Sequence, residues 1–110
     1  MSSSLPPPEL DVVFAALAHT KRRDILQTLT LHPATVGQLA ELHSLSLPAI
    51  HKHIRALESA GLLQRKKIGR TNFVALNRLG LRLAQQWLGK FQAFWGSDSE
   101  TLENYLSHLS

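Results

Sequence analysis

Between positions 52 and 70 the chain sets six cations, Lys52, Arg55, Arg65, Lys66, Lys67 and Arg70, against one carboxylate, Glu58. That density suits phosphate, because an ammonium acts as a point charge and a guanidinium fork matches a phosphate or a guanine edge bidentately. The cations form two groups. Lys52 and Arg55 lie three apart inside an apolar-periodic run, whereas Lys66-Lys67-Ile68-Gly69-Arg70-Thr71 reads as the turn between two short strands. Duplex DNA admits a helix in its major groove and a thin basic arm beside it. Double-stranded DNA is therefore the expected partner.

Other chemistry finds little support. The chain has no cysteine, which excludes disulfide scaffolds, thiolate metal sites and cysteine nucleophiles. Its eight acidic residues include no pair forced onto one face near a base. Neither a glycine-rich phosphate loop nor a serine elbow occurs, so no enzyme is expected. Six histidines raise the question of a metal. On a helix His51 and His53 project about 160° apart and cannot share a tetrahedral ion. His19, His32, His43 and His108 fall near expected helix ends, where imidazole is an ordinary capping or surface group; only a pairing of His19 with His108 across two subunits would gather ligands. No metal and no cofactor are expected.

These groups need a scaffold, and 110 residues with a hydrophobic fraction of 44% allow one domain with a small core. A net charge of +4 agrees with a polyanionic partner, and the acidic residues Asp98, Glu100 and Glu103 collect in the tail, away from the basic middle. No apolar run approaches the roughly 20 residues that span a bilayer. Residues 1–8, rich in serine and proline, lack the basic start and apolar stretch of a secretory signal and read as a disordered arm. A cytoplasmic protein is expected, with residues 9–110 as its single domain.

The elements follow from period and caps. Val13, Phe14 and Leu17 mark a first helix from Glu9 to Ala18. Thr20 caps a second to about Leu31, with Ile25, Leu26 and Leu29 inside, and His32-Pro33 stops it. Thr35 and Gln38 have capping-box spacing for a short third helix through Leu42. After His43-Ser44-Leu45, Ser46 caps a fourth helix with Pro48 in its first turn and Leu47, Ile50, Ile54 and Leu57 as its buried stripe. Gly61 ends it in the left-handed region. Residues 62–65 and 72–76 read as strands, Asn77 to Trp95 as a helix broken at Gly96, and the remainder as a last helix capped by Ser97 or Asp98.

A short helix, a tight turn, a capped second helix and a basic hairpin make a winged helix-turn-helix, mainly α with one small β-hairpin. Opposite Ile50 and Ile54 the wheel places Ala49, Lys52, Ala56 and Ser59, flanked by Pro48 and Arg55. Small residues there let the helix approach the groove floor. Pro48, Ala49, His51, Lys52 and Arg55 are the expected major-groove residues. Lys66, Lys67 and Arg70 are expected at the backbone and minor groove, and Arg22 at a phosphate. The competing class is a winged-helix protein-interaction module that does not bind DNA.

The set of pieces resembles the winged-helix repressors of the ArsR type, from about Leu10 to Leu109. They are Ala16-Leu17-Ala18 with Arg22-Arg23, then Thr35-Val36-Gly37-Gln38-Leu39-Ala40. Ser46-Leu47-Pro48-Ala49-Ile50, Lys52-His53-Ile54-Arg55, Leu57-Glu58-Ser59-Ala60-Gly61-Leu62, Gly69-Arg70 and Leu76-Asn77 complete them. The resemblance implies a homodimeric transcriptional repressor binding an imperfect palindrome, with His53 packed at the edge of the helix-turn-helix. There are departures. His19-Thr20-Lys21 stands where many members have Asp-Pro-Thr, and His51 where a serine is common. Metal-sensing members carry a cysteine pair on the helix matching Gln38 to Leu42, or Asp and His on the helix matching Leu79 to Trp95. Neither set is present, so the resemblance is to a metal-independent branch, as is that of the aromatic tail with Phe91, Phe94, Trp95 and Tyr105. In that branch the regulator often controls a neighbouring gene for a protein with a hydrophobic ligand cavity. The sequence names no effector.

The helix from Leu79 to Trp95 carries two apolar stripes, Leu83-Trp87-Phe91 and Ala84-Leu88-Trp95. One is enough to cover the core, and the other would be an exposed patch without a partner. A two-fold homodimer through Val13, Phe14 and Leu17 of the first helix and Trp87, Leu88, Phe91 and Trp95 is the expected solution. Residues 79–110 would then be dimerisation helices.

Overall fold

Two of the helices stop in the same way, and those stops set the path of the chain. The computed structural model describes residues 9–95 and 98–109, and within 92–95 and 98–101 the backbone alone. The expected arm at 1–8, the break at Gly96, the Ser97 or Asp98 side-chain cap and the Trp95 side chain lie outside the described residues. The elements are α1 (Leu10–Leu17), α2 (Thr20–Thr28), β1 (Ala34–Thr35), α3 (Val36–Leu42), α4 (Leu47–Ser59), β2 (Leu63–Ile68), β3 (Thr71–Leu76), α5 (Arg78–Trp95) and α6 (Asp98–Leu109).

α3 opens on the expected capping box. Thr35 Oγ1 accepts from the Gln38 N–H at 3.1 Å, and Gln38 Oε1 accepts from the Thr35 N–H at 2.9 Å. It closes with the Leu45 N–H donating to the Ala40 carbonyl at 2.8 Å and the Ser44 N–H to Glu41 at 3.2 Å. This is a Schellman stop, and it holds Ser44 at φ +54°, a conformation costing a residue with a Cβ roughly 1–2 kcal/mol. α4 closes identically. The Leu62 N–H reaches Leu57 and the Gly61 N–H reaches Glu58, both at 2.9 Å, with Gly61 at φ +70°. In each stop the residue after the left-handed one, Leu45 or Leu62, turns onto the core.

The sheet has the order β1-β3-β2, antiparallel throughout. Its hairpin is tighter than the expected six-residue turn, because the strands continue to Ile68 and resume at Thr71. Gly69 has φ +63° and Arg70 has no positive φ, the pattern of a type II′ turn whose twist matches its strands. Lys66 pairs opposite Phe73 and Lys67 opposite Asn72. β1 was not expected. Two residues carry no period to read, yet Ala34 pairs with Val74 and Thr35 with Phe73.

The core gathers Val13, Ile25, Leu39, Ile50, Ile54, Leu57, Leu62 and Val74, each fully buried. Three expectations are corrected here. Val13 is 0% exposed, so it holds α1 onto its own protomer instead of meeting a partner. Leu47 is 56% exposed, because the first turn of α4 overhangs the core and Leu45 fills that place instead. α2 begins after His19, whose side chain makes no capping bond, and ends at Thr28, leaving Leu31 outside.

α5 rests on the turn that ends α4. The Asn77 N–H donates to Leu62 and the Gly80 N–H to Gly61, both at 2.9 Å, while Asn77 Oδ1 caps the Leu79 N–H at 3.1 Å. A Cβ at Gly80 would stand 2.5 Å from the Ala60 carbonyl oxygen. Ala84 is buried and Leu81 and Leu83 pack on the core, but Trp87 is 39%, Leu88 54% and Phe91 50% exposed. The division of α5 thus runs along its length as much as around it. Trp87 also meets Phe14 edge-on, with ring centroids 5.7 Å apart, and Phe91 at 4.8 Å.

Candidate nucleic-acid interface

Burial of Ile50, Ile54 and Leu57 fixes the rotation of α4 and turns its opposite face to solvent. Ser46 Oγ accepts from the Ala49 N–H at 3.3 Å and starts the helix, with Pro48 in the first turn. Pro48, Lys52, Arg55 and Ser59 are exposed, and Ala49, His51 and Ala56 are half-buried between them and the core. The helix therefore offers two cations on a face of small side chains.

The hairpin stands beside this face and is tied to it. Arg65 Nη2 donates to Glu58 Oε1 at 2.6 Å, both side chains being 28% exposed. This clasp joins the base of β2 to the last turn of α4 and uses the one carboxylate of the basic stretch. Among the described residues Lys52, Arg55, Lys66, Lys67 and Arg70 have no ion-pair partner, and all five are exposed. The sequence sets six cations against Glu58 without showing which of them the carboxylate pairs with. Only the register of Arg65, on the same sheet side as the buried Leu63 and two residues along, pointed inward.

Arg22, expected at a phosphate, donates from Nε to His53 Nδ1 at 3.2 Å. The imidazole accepts, so its proton sits on Nε2. The His53 pKa is lowered from 6.5, first by burial and then by the nearby charges of Arg22, His19, Lys52 and Lys21. His43 is also lowered, first by burial and then by Lys21, against an opposing effect of Asp24. Its Nε2 lies 3.0 Å from Thr28 Oγ1, and its carbonyl accepts from Lys21 Nζ at 2.9 Å. Three side chains of α2 are thus fastened, Arg22 to α4 and Lys21 and Thr28 to the turn before it.

These histidines make stability depend on pH. The unfolded chain takes up protons below about pH 6.5, while the folded chain resists them at positions 43 and 53. Their contribution is complete above that pH and is lost as pH falls from it through the lower folded-state values. The urea midpoint should be lower at about pH 5.5 than at about pH 7.5, a range in which carboxylates stay ionised. Equal midpoints would contradict the assignment.

Among the described residues no three His, Asp or Glu side chains gather around a metal-sized space. No described helix is long and apolar enough to cross a membrane.

A helix-turn-helix domain family matches residues 17–65, from the end of α1 into β2. The chain is 30% identical over 79 residues to the transcriptional repressor SdpR of Bacillus subtilis, covering 72% of this chain and 88% of that protein. A crystal structure of an ArsR family transcriptional regulator superposes with TM-score 0.73 at 36% identity, over 80% of this chain and 91% of the other. The homodimeric winged helix-turn-helix DNA-binding domain of a Mycobacterium bovis protein shares the fold, with TM-score 0.63 at 22% identity, over 81% and 84%. The capped turn, the solvent-facing cationic helix, the clasped wing and these likenesses agree: the chain belongs to the ArsR family of winged helix-turn-helix transcriptional regulators.

Proposed function

We propose that this regulator is a cytoplasmic, non-enzymatic homodimeric repressor that reads an imperfect palindromic operator in double-stranded DNA. The observation that carries this reading is the exposed face of α4, Pro48, Lys52, Arg55 and Ser59, fixed beside a wing of unpaired cations by the Arg65–Glu58 clasp. Pro48, Ala49, His51, Lys52 and Arg55 would enter the major groove. Lys66 and Lys67 would meet the backbone, Arg70 at the II′ turn would enter the minor groove, and Arg22 would hold a phosphate. The name of the related Bacillus subtilis protein, a repressor, supports the direction of control.

Self-association is supported by the apolar surface around Phe14, Leu17, Trp87, Leu88 and Phe91, and by the homodimeric Mycobacterium bovis domain. Residues 79–110 would serve as the dimerisation helices. Two reading helices would then lie about one DNA turn, roughly 34 Å, apart, or a multiple of it. Because α5 sits on the stop of α4, a change in the angle between subunits would move both reading helices together.

Selection of bound sites from random DNA tests the reading directly. With the selected operator, Lys52→Ala and Arg55→Ala should each weaken binding by about five- to tenfold, and Arg70→Ala should act most at A·T-rich flanks. Binding that is insensitive both to salt and to all three substitutions would instead favour a protein-docking module.

A further inference from the structure

The fold contains two anchored arginines, and they are anchored by opposite chemistry. Arg65 is held by a carboxylate at 2.6 Å, so its charge is cancelled where it stands. Arg22 is held by a neutral imidazole at 3.2 Å, which fixes the guanidinium without neutralising it. The groups acting electrostatically on His53 are Arg22, His19, Lys52 and Lys21, from α4, from α2 and from the residue before it, and none of them is a carboxylate. Lys21 spends its ammonium on the His43 carbonyl. The Nη groups of Arg22 have no protein partner among the described residues, and the side chain is half-buried, beside the α4 face carrying Lys52. An unneutralised guanidinium, fixed through Nε and with both terminal nitrogens unused, is preorganised for a bidentate phosphate.

We infer that His53 is a positioning residue: by accepting from Arg22 Nε it aims the Arg22 fork at a DNA backbone phosphate flanking the reading helix. This rests on the DNA-binding reading above and adds a specific device to it. His53 does not touch DNA in this arrangement; it acts through Arg22. Holding an arginine with a neutral acceptor keeps its whole charge for the phosphate and removes most of its rotamer freedom before binding, so less entropy is lost on association.

The acceptor is a single atom, so the substitutions can be matched to it. In His53→Asn the amide oxygen occupies the position of Nδ1, whereas His53→Gln places its oxygen nearer the position of Nε2. His53→Leu removes the acceptor altogether. Affinity of the full chain for an operator duplex and for a random duplex is measured by fluorescence anisotropy across a salt series, with thermal melting to confirm folding. A phosphate contact contributes about 0.9 to the slope of log affinity on log salt. Arg22→Ala should lower the slope by up to that amount and weaken both duplexes roughly five- to tenfold at about 0.1 M salt.

His53→Gln and His53→Leu should reproduce most of this loss, and His53→Asn should restore the slope. Adding His53→Gln to Arg22→Ala should change nothing further. A purely structural histidine would give additive losses and no distinction between Asn and Gln. If Arg22→Ala lowers the slope while all three His53 variants keep the wild-type value, the positioning role is overturned and the DNA-binding reading stands. The role is likewise overturned if Arg22→Ala leaves the slope unchanged. Absence of salt-dependent binding by the unaltered chain would overturn both.

Discussion

Gly80→Ala should lower the midpoint of thermal unfolding by roughly 10 °C, although alanine is the better helix former. Two opposing effects decide the sign. In the interior of a helix, alanine gains about 1 kcal/mol over glycine. Here the added methyl would stand 2.5 Å from the Ala60 carbonyl oxygen and 3.1 Å from the Gly61 carbonyl carbon and oxygen. Those are backbone atoms at the Schellman stop of α4, so no side chain can swing aside. Relief requires α5 to lift off, which strains or breaks the Gly80 N–H bond to Gly61 at 2.9 Å and the Asn77 N–H bond to Leu62 beside it. Overpacking of this kind costs typically 1–3 kcal/mol, and a lost buried hydrogen bond adds about 1 kcal/mol. The net loss is about 2 kcal/mol, near 10 °C for a domain of this size. Scanning calorimetry of the variant checks it; an unchanged or higher midpoint would mean that α5 does not need this contact. The substitution should also impair DNA binding beyond its cost in folding, since the same contact sets the angle between α5 and the reading helix.

The reading elements were legible because their signals are local. Thr35 with Gln38, Ser46 with Pro48 and Gly61 each specify a helix end through bonds within a few residues, and all three ends form as expected. Ile50, Ile54 and Leu57 then fix which face of α4 is left for Lys52 and Arg55. What stayed hidden depends either on a residue type that gives no local signal or on a pairing partner elsewhere in the chain. Ser44 makes the same left-handed stop as Gly61, but a serine does not announce it. β1 exists only because β3 offers Val74 and Phe73 to pair with. The Arg65–Glu58 clasp and the Arg22–His53 bond join residues 7 and 31 positions apart, and neither pairing follows from composition. Val13 and Leu47 were misplaced for a related reason. Period gives the direction of a side chain around a helix, but not whether a neighbour lies in that direction.

That distinction between direction and neighbour decides the fate of Trp87. Trp87→Glu should convert the protein to a monomer at micromolar concentration and weaken binding to a full operator by at least 10²-fold, the scale on which a linked second head acts. Trp87, Leu88 and Phe91 leave about half of each side chain outside the protomer. At 150–250 Å² for a fully buried aromatic, the three expose roughly 300 Å², already the lower size of the largest patch a monomer ordinarily carries. On α6, Leu102, Tyr105, Leu106 and Leu109 are each more than half exposed and add as much again. A carboxylate at position 87 would be desolvated against Phe14 and Phe91 without a counter-charge, at a cost of several kcal/mol per buried ion. Because Trp87 also packs on Phe14 within its own protomer, some loss of monomer stability is expected as well. Leu88→Glu, further from that contact, should give the same monomer with a smaller change in melting temperature. Sedimentation velocity reads the assembly state, and binding to a single half-site reads the integrity of the head. Half-site affinity should persist in both variants while full-operator affinity collapses. A Trp87→Glu chain that stays dimeric and holds the full operator normally would place the two-fold contact elsewhere on the molecule.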